Sequence, residues 1–185
     1  MLGEEFRGPA AVTVVYFLVY YAFMILQLGL RSDARARCAE SGEDFDRFKT
    51  IDGGAVMGDR TFLNTLEQMG PFLAALWSCA VCVDPGLATA LGSCAVAFRL
   101  FFPIFWSLGP DGAWNPLVEL STQPYYCCVF GMLGSVAAWA IAGVDISVGH
   151  WSIILTEVLG FYVAFFAVAF VLGRVIYLIT RGSYS

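Results

Sequence analysis

Charge-free apolar runs about twenty residues long constrain most strongly what this chain can fold into. The first run, at about 10–30, reads AAVTVVYFLVYYAFMILQLGL and contains no acidic or basic residue. A helix that crosses a membrane needs roughly 20 mainly apolar residues. A soluble domain of 185 residues with a very apolar core is the alternative, but it could not hide a chain that is 59% hydrophobic. We therefore predict an integral membrane protein.

Five apolar segments are predicted to cross the bilayer. They lie at about 10–30, 60–83, 86–106, 124–143 and 151–179. The last is longer than a perpendicular span needs, so we expect it to tilt or to emerge from the bilayer. The predicted fold class is all-α: a polytopic transmembrane bundle with a four-helix domain at 1–143. Residues 144–185 would add a C-terminal transmembrane helix and a tail.

Basic residues concentrate in the predicted first loop, residues 31–59, which holds half of the 10 Lys and Arg residues. The positive-inside rule places this loop on the cytoplasm-like side, and five spans put the C-terminus on the same side. We expect a multi-pass protein of the endoplasmic reticulum or another organellar membrane. No basic tract indicates nucleic acid as a partner. Asp84 and Pro85 predict a tight turn between the second and third spans.

Histidine and cysteine usage does not predict a metal site. His150 is the single histidine, beside Trp151 at a membrane edge, and we expect it to act as an interfacial anchor. No second His or Cys is suitably spaced to share a metal ion with it. Cys79 and Cys82 form a C-x-x-C pair inside a span. Because the thioredoxin-like βαβ context is missing, we expect both cysteines to serve packing.

A polar stripe runs along the second span. Arg60, Asn64, Glu67, Pro71 and Ser78 lie at offsets that fall on one face of a helix. Lipid cannot satisfy such groups, so we expect the stripe to face a protein interior or a wet cavity. One interpretation is structural, with an ion pair and an amide that join helices. The other is a ligand-binding site.

The third span adds a charge on an aromatic face. Arg99, Phe102 and Trp106 lie at offsets of 0, 3 and 7. Arg99 is deep enough in the span to need a partner. We predict that Glu67 pairs with Arg60 or Arg99 inside the bundle, because an unpaired buried charge is costly.

These residues carry a family resemblance. The pattern R-x-x-x-N-x-x-E-x-x-x-P-F, from Arg60 to Phe72, resembles the signature of the MAPEG superfamily, the membrane-associated proteins of eicosanoid and glutathione metabolism. The segments FLAALW and STQPYY, the third-span Arg99 and the basic first loop are also similar to that family. The resemblance covers about 10–143. It implies a four-helix bundle that forms homotrimers and, in enzymatic members, binds glutathione between subunits.

The resemblance also implies roles for individual residues. Arg60, Asn64, Glu67 and Arg99 match positions that contact glutathione, and Arg31 resembles an arginine that helps to hold or activate the thiol. Arginines and one carboxylate suit a ligand that carries two carboxylates and an ammonium. A nearby positive charge also lowers a thiol pKa.

Departures from the family pattern argue against full activity. Phe102 and Trp106 stand where family enzymes commonly have tyrosines, Gln68 where some have tyrosine, and Leu63 where certain members have arginine. We therefore expect weak or absent glutathione binding. The fifth span lies outside the pattern, and we expect it to dock against another membrane subunit rather than only lipid.

Three interpretations follow from the sequence. The first is a catalytically degenerate accessory or scaffold subunit of a larger membrane assembly. The alternative is a glutathione-dependent transferase or peroxidase that acts on a lipophilic electrophile. A transporter-like bundle is the third, and no broken Gly/Pro-paired repeat supports it.

Overall fold

A computed structural model describes residues 3–46, 48–49, 52–109 and 115–143, together with positions 160, 163–164, 167–168 and 170–174. Within these residues all regular structure is helical, which confirms the predicted all-α bundle. The four long helices are α1 (Arg7–Ser41), α2 (Gly53–Cys82), α3 (Pro85–Ser107) and α4 (Glu119–Ala142), with 3₁₀ turns at Glu4–Phe6 and Pro116–Val118. The described positions from 160 to 174 are also helical. The remainder of the predicted fifth span lies outside the described residues, as does His150.

Three helical stretches in the described part of the chain are long and apolar enough to cross a membrane. They are Glu4–Ser41, Pro85–Ser107 and Pro116–Ile141. The chain is therefore an integral membrane protein. Helix α2 is 30 residues long but does not reach this apolarity, because Arg60, Asn64 and Glu67 lie in its first half. It is held in the bundle by packing against α1, α3 and α4.

The first connector is much shorter than the predicted loop at 31–59. Helix α1 continues to Ser41 and α2 begins at Gly53, so the connection spans 42–52. The run that follows Leu30 is rich in Arg and Ala, which are good helix formers, and Gly42 ends α1 with a φ of 74°. At a rise of 1.5 Å per residue, α1 is roughly 50 Å long, whereas the hydrocarbon core is about 30 Å thick. Its arginine-rich last turns therefore extend beyond the apolar layer.

Side-chain caps set the start of α3 and of the 3₁₀ turn that precedes α4. Asp84 accepts a hydrogen bond from the backbone N–H of Leu87, and Pro85 occupies the first position of α3, which confirms the predicted turn. Helix α4 begins at Glu119, before the predicted start of the fourth span at about 124, and contains Pro124. The 3₁₀ turn before it is capped by Asn115, a signal that lies outside the apolar run.

The four helices alternate in direction, as their short connectors and paired residues require. One end of the bundle, here called the N-terminal end, holds the starts of α1 and α3 and the ends of α2 and α4. Tyr16 of α1 stacks on Phe72 of α2 at 4.5 Å, and Phe72 lies 6.2 Å from the ring of Tyr125 on α4. Gly92 of α3 allows close packing, since a Cβ there would lie 3.0 Å from Val12 of α1.

Candidate functional site

Arg99 belongs to α3 and lies at the centre of the bundle, between α2 and α4. It is only 1% exposed. Its Nε donates to Oγ1 of Thr65 at 3.1 Å, and its Cζ lies 5.0 Å from the ring centroid of Phe102 and 5.3 Å from that of Tyr125. The buried Nη2 has no hydrogen-bond partner among the described residues. The interior of the single chain thus holds a cation with one hydrogen bond, two aromatic faces and one unsatisfied donor.

The predicted ion pair of Glu67 with Arg60 or Arg99 is wrong for the single chain. No carboxylate–cation contact within 4.0 Å joins these three residues, all of which the structure describes. Arg60 and Glu67 are exposed, while Arg99 points inward. Thr61 and Thr65, which are both fully buried, occupy the inner face of α2 instead. The Thr65 hydroxyl donates to the Thr61 carbonyl at 2.7 Å and accepts from Nε of Arg99, so both its donor and acceptor sides are satisfied while it is buried.

The α2 polar stripe, defined here as Arg60, Asn64 and Glu67, therefore faces away from its own bundle. Arg60 and Glu67 are exposed and Asn64 is half-buried. Within the described part of the chain, none of the three takes part in a hydrogen bond or ion pair. Of the two predicted surroundings, a protein interior is not provided by the chain's own bundle, and a wet cavity or an interior shared with a neighbouring chain stays a prediction. Such groups require water, a ligand or a neighbouring chain as a partner.

Arg31 is held by a carboxylate that the sequence analysis did not single out. Asp59 of α2 accepts a hydrogen bond from Nε of Arg31 through Oδ1 at 2.7 Å, and the same oxygen forms an ion pair with Nη2 of Arg31 at 2.6 Å. Nε2 of Gln27 donates to the same oxygen at 3.1 Å. The side chains of Arg31 and Asp59 are 16% and 24% exposed. A partly buried contact of this kind is screened less by water than a surface pair.

The local sequence explains why these groups meet. Gln27 and Arg31 are one helical turn apart on α1, so they share one face. Gly58 precedes Asp59 on α2 and allows close approach, because a Cβ there would lie 3.1 Å from the Cα of Gln27. The sequence feature that could have predicted this contact is Asp59 at the start of the second span, together with Gln27 and Arg31 at the end of the first span.

The positions that depart from the expected tyrosine and arginine pattern are used for packing or left at the surface. Phe102 and Trp106 are 2% and 8% exposed, with ring centroids 5.6 Å apart. Gln68 donates to the hydroxyl of Tyr126 at 2.9 Å, and Leu63 is 42% exposed. The surroundings of Arg99 are therefore more apolar than the family pattern would make them.

Comparison with known families decides the identity at this level. The MAPEG family profile matches residues 9–143, which cover all but the first two residues of α1 and the whole of α2, α3 and α4. The chain belongs to the MAPEG family. The resemblance predicted over 10–143 is thereby confirmed. No curated protein and no solved structure matches this MAPEG chain. The glutathione roles of Arg31, Arg60, Asn64, Glu67 and Arg99 stay predictions.

The cysteines of this MAPEG chain are unpaired, and in the part that the structure describes they do not cluster with other potential metal ligands. The described part of the chain holds no group of three or more His, Cys, Asp or Glu residues that could bind a metal ion. Its six cysteines are free thiols, and Cys79 and Cys82 are among them. Cys79 is buried and Cys82 half-buried, as packing residues would be.

Proposed function

We propose that this MAPEG chain is a catalytically degenerate accessory subunit of a membrane assembly. It retains a polar surface for glutathione but does not activate the thiol. The observation that carries this proposal is the contact between Arg31 and Asp59. The guanidinium that the family resemblance assigns to the thiol is already held by a carboxylate at 2.6 Å.

The chemistry of thiol activation explains why this contact matters. A thiolate forms near neutral pH when nearby positive charge stabilises it. Asp59 balances the charge of Arg31, so the net field that a thiol would experience at this place is small. Phe102 and Trp106 carry no phenol that could donate to a thiolate, and both are buried against each other. The chain therefore keeps the arginine Arg31 but has no group that is available to activate the glutathione thiol.

The α2 polar stripe supports the assembly part of the proposal. It presents an arginine, an amide and a carboxylate on an otherwise apolar surface. A zwitterionic ligand such as glutathione offers charges of both signs that could pair with Arg60 and Glu67. A neighbouring copy of the chain would cover the ligand and the rest of the stripe. Copies that assemble through α2, as in a homotrimer, would satisfy the groups that one bundle leaves open.

Conjugation of glutathione to 1-chloro-2,4-dinitrobenzene by the purified full-length protein tests this function. We expect the wild type to add nothing to the uncatalysed rate, and Asp59→Asn to raise the rate because it frees Arg31. Adding Arg31→Ala to Asp59→Asn should remove the gain. Asp52→Asn is the matched control, because Asp52 also pairs with an α1 arginine, Arg37 at 2.7 Å, but further from the stripe. Calorimetry with glutathione on the same samples separates binding from activation.

A glutathione-dependent transferase or peroxidase is the second candidate. The exposure of the α2 polar stripe favours this enzymatic function, because Arg60 and Glu67 are both accessible to a ligand. In that case the thiolate of glutathione would displace Asp59 from Arg31. Wild-type conjugation that is lost with Arg31→Ala and unaffected by Asp59→Asn would establish this function and overturn the accessory one.

A further inference from the structure

One turn of α2, from Thr65 to Gln68, receives hydrogen bonds from all three of the other long helices. Tyr16 of α1 donates to the main-chain carbonyl of Thr65 at 3.0 Å, and Arg99 of α3 donates through Nε to the Thr65 hydroxyl at 3.1 Å. Tyr125 of α4 donates to the main-chain carbonyl of Gln68 at 3.4 Å. The three donors are buried, and they approach this turn, here called the clamped turn, from inside the bundle.

The clamped turn also carries Glu67, on its opposite side. Glu67 is exposed, whereas Thr65, two residues earlier, is fully buried. Pro71 lies four residues after Glu67 and has no N–H to donate to the Glu67 carbonyl. A proline inside a helix removes one hydrogen bond from the ladder and promotes a kink at that place. The carboxylate is therefore presented by the part of α2 whose own hydrogen bonding is incomplete, and the donors of the clamped turn compensate for this gap.

We propose that Arg99 is a positioning residue for Glu67, on which it acts through Thr65, rather than a residue that contacts the ligand. This inference rests on the proposed function, in which Glu67 pairs with the ammonium group of glutathione. The observation that carries it is the direction of Arg99, which points into the bundle while Glu67 faces outward. A ligand bound on the α2 polar stripe would reach Glu67 but not a guanidinium enclosed by Phe102 and Tyr125.

The hydrogen bond to Thr65 suits a positioning role. The two tyrosines bind main-chain oxygens, which every residue offers, whereas Arg99 binds a hydroxyl that Thr65 alone supplies in this turn. Threonine is stiff at χ1, so a hydrogen bond to its hydroxyl also restrains the backbone that carries it. Displacing Thr65 would take away the hydrogen bond that the described residues give this buried cation, which is costly.

Calorimetry with glutathione on the purified full-length protein tests the positioning role. Thr65→Val removes the hydroxyl and keeps the shape of the side chain, and Arg99→Met removes the charge and keeps most of the packing. Thr61→Val is the matched control, because Thr61 is also a fully buried threonine of α2, one turn earlier, whose hydroxyl contacts Met57 rather than Arg99. Thr65→Ser keeps the hydroxyl. Thr65→Val is also measured in a chain that carries Glu67→Gln.

We expect Thr65→Val and Arg99→Met each to weaken glutathione binding several-fold, and their combination to weaken it no further. Thr61→Val and Thr65→Ser should bind as the wild type does. In the Glu67→Gln chain, Thr65→Val should have no additional effect, because the carboxylate that it displaces is gone. Additive losses from Arg99→Met and Thr65→Val would show that Arg99 contacts the ligand directly and would overturn the proposal. Equal losses from Thr61→Val and Thr65→Val would indicate a general loss of packing, which also overturns it.

Amide hydrogen exchange in the ligand-free protein separates this inference from the proposed function. Thr65→Val and Arg99→Met should raise the exchange of residues 62–72 several-fold and leave that of residues 74–82 unchanged, since Leu76 and Cys79 hold the second half of α2 by apolar packing. A wild type that binds no glutathione would contradict the proposed function but not this inference, which raised exchange would then support. Unchanged exchange in both variants would show that Arg99 does not hold the turn, and it would overturn the inference whether or not glutathione binds.

Discussion

Replacing Arg99 with methionine tests whether the central cation has its full set of partners within one chain. Arg99 is 1% exposed, donates one hydrogen bond to Thr65 and leaves Nη2 unsatisfied. Methionine has a similar reach and fills irregular apolar space. The change therefore removes the charge while it keeps most of the packing against Phe102 and Tyr125. Arg99→Ala, by contrast, removes the packing as well.

The expected change in stability is a balance of four contributions. Arg99 gains about 1.5–3 kcal/mol from one hydrogen bond of a charged donor. The two ring contacts, at 5.0 and 5.3 Å, add up to about 2 kcal/mol each when desolvated. Against these stand several kcal/mol for burying the charge and about 1–3 kcal/mol for the unsatisfied Nη2. We expect Arg99→Met to be neutral or to stabilise the isolated chain by up to about 3 kcal/mol, and Arg99→Ala to destabilise it by about 2–5 kcal/mol through a cavity.

Reversible unfolding in mixed detergent micelles, followed by tryptophan fluorescence, measures both variants. Arg35→Met is the control, because Arg35 is an exposed arginine with a single ring contact, 5.6 Å from Phe45. A loss of more than about 2 kcal/mol in Arg99→Met would refute the reasoning. It would mean that Nη2 has an anionic partner in the working protein, such as a ligand carboxylate or a neighbouring chain.

Two further predictions concern the helix ends and the packing. Asp52→Ala should cost about 1 kcal/mol in thermal unfolding, because Asp52 caps α2 by accepting from the N–H of Ala55 at 3.0 Å. That hydrogen bond lowers the pKa of Asp52, so its stabilisation is present above the ordinary aspartate pKa of about 3.9 and is lost as the pH falls through the lowered folded value. A variant with the same acid sensitivity as the wild type would contradict this. Gly92→Val should destabilise the bundle by about 1–3 kcal/mol, whereas Gly70→Ala, where a Cβ would meet no atom within 4 Å, should stabilise it by up to about 1 kcal/mol in the same assay. Equal effects at the two glycines would show that the α1–α3 contact is looser than described.

The sequence predicted the helices well because hydrophobic run length is a local signal. The cores of four spans, the turn at Asp84 and Pro85 and the family match all depend on residues that are adjacent in the chain. The errors lie at helix ends. Ser41 and Glu119 extend α1 and α4 beyond the apolar runs, since helix propensity and capping continue where hydrophobicity stops.

The site was harder to predict because periodicity gives a shared face but not its direction. Arg60, Asn64 and Glu67 do share a face of α2, as predicted, but that face points outward. Thr65 explains which face of α2 is buried, because its hydroxyl can be buried and can also accept a hydrogen bond from Arg99. Asp59 was overlooked for a related reason, because its partner Arg31 lies on another helix and no local pattern joins the two.

The position of Glu67 gives the clearest reason to expect a polar partner on the outer face of α2. Glu67 is the fifteenth of the 30 residues of α2, so it lies midway along the helix, and it is exposed on the outer face of the bundle. An ionised group at the centre of a membrane helix costs about 3 kcal/mol on insertion scales. That is a large part of the roughly 5–15 kcal/mol that stabilises a folded domain. Arg60 lies two turns closer to the start of α2 and can extend toward the interface, so it does not share this constraint. The need for a polar partner on the α2 face therefore originates at Glu67, and it exists whether that partner is a ligand or another copy of the chain.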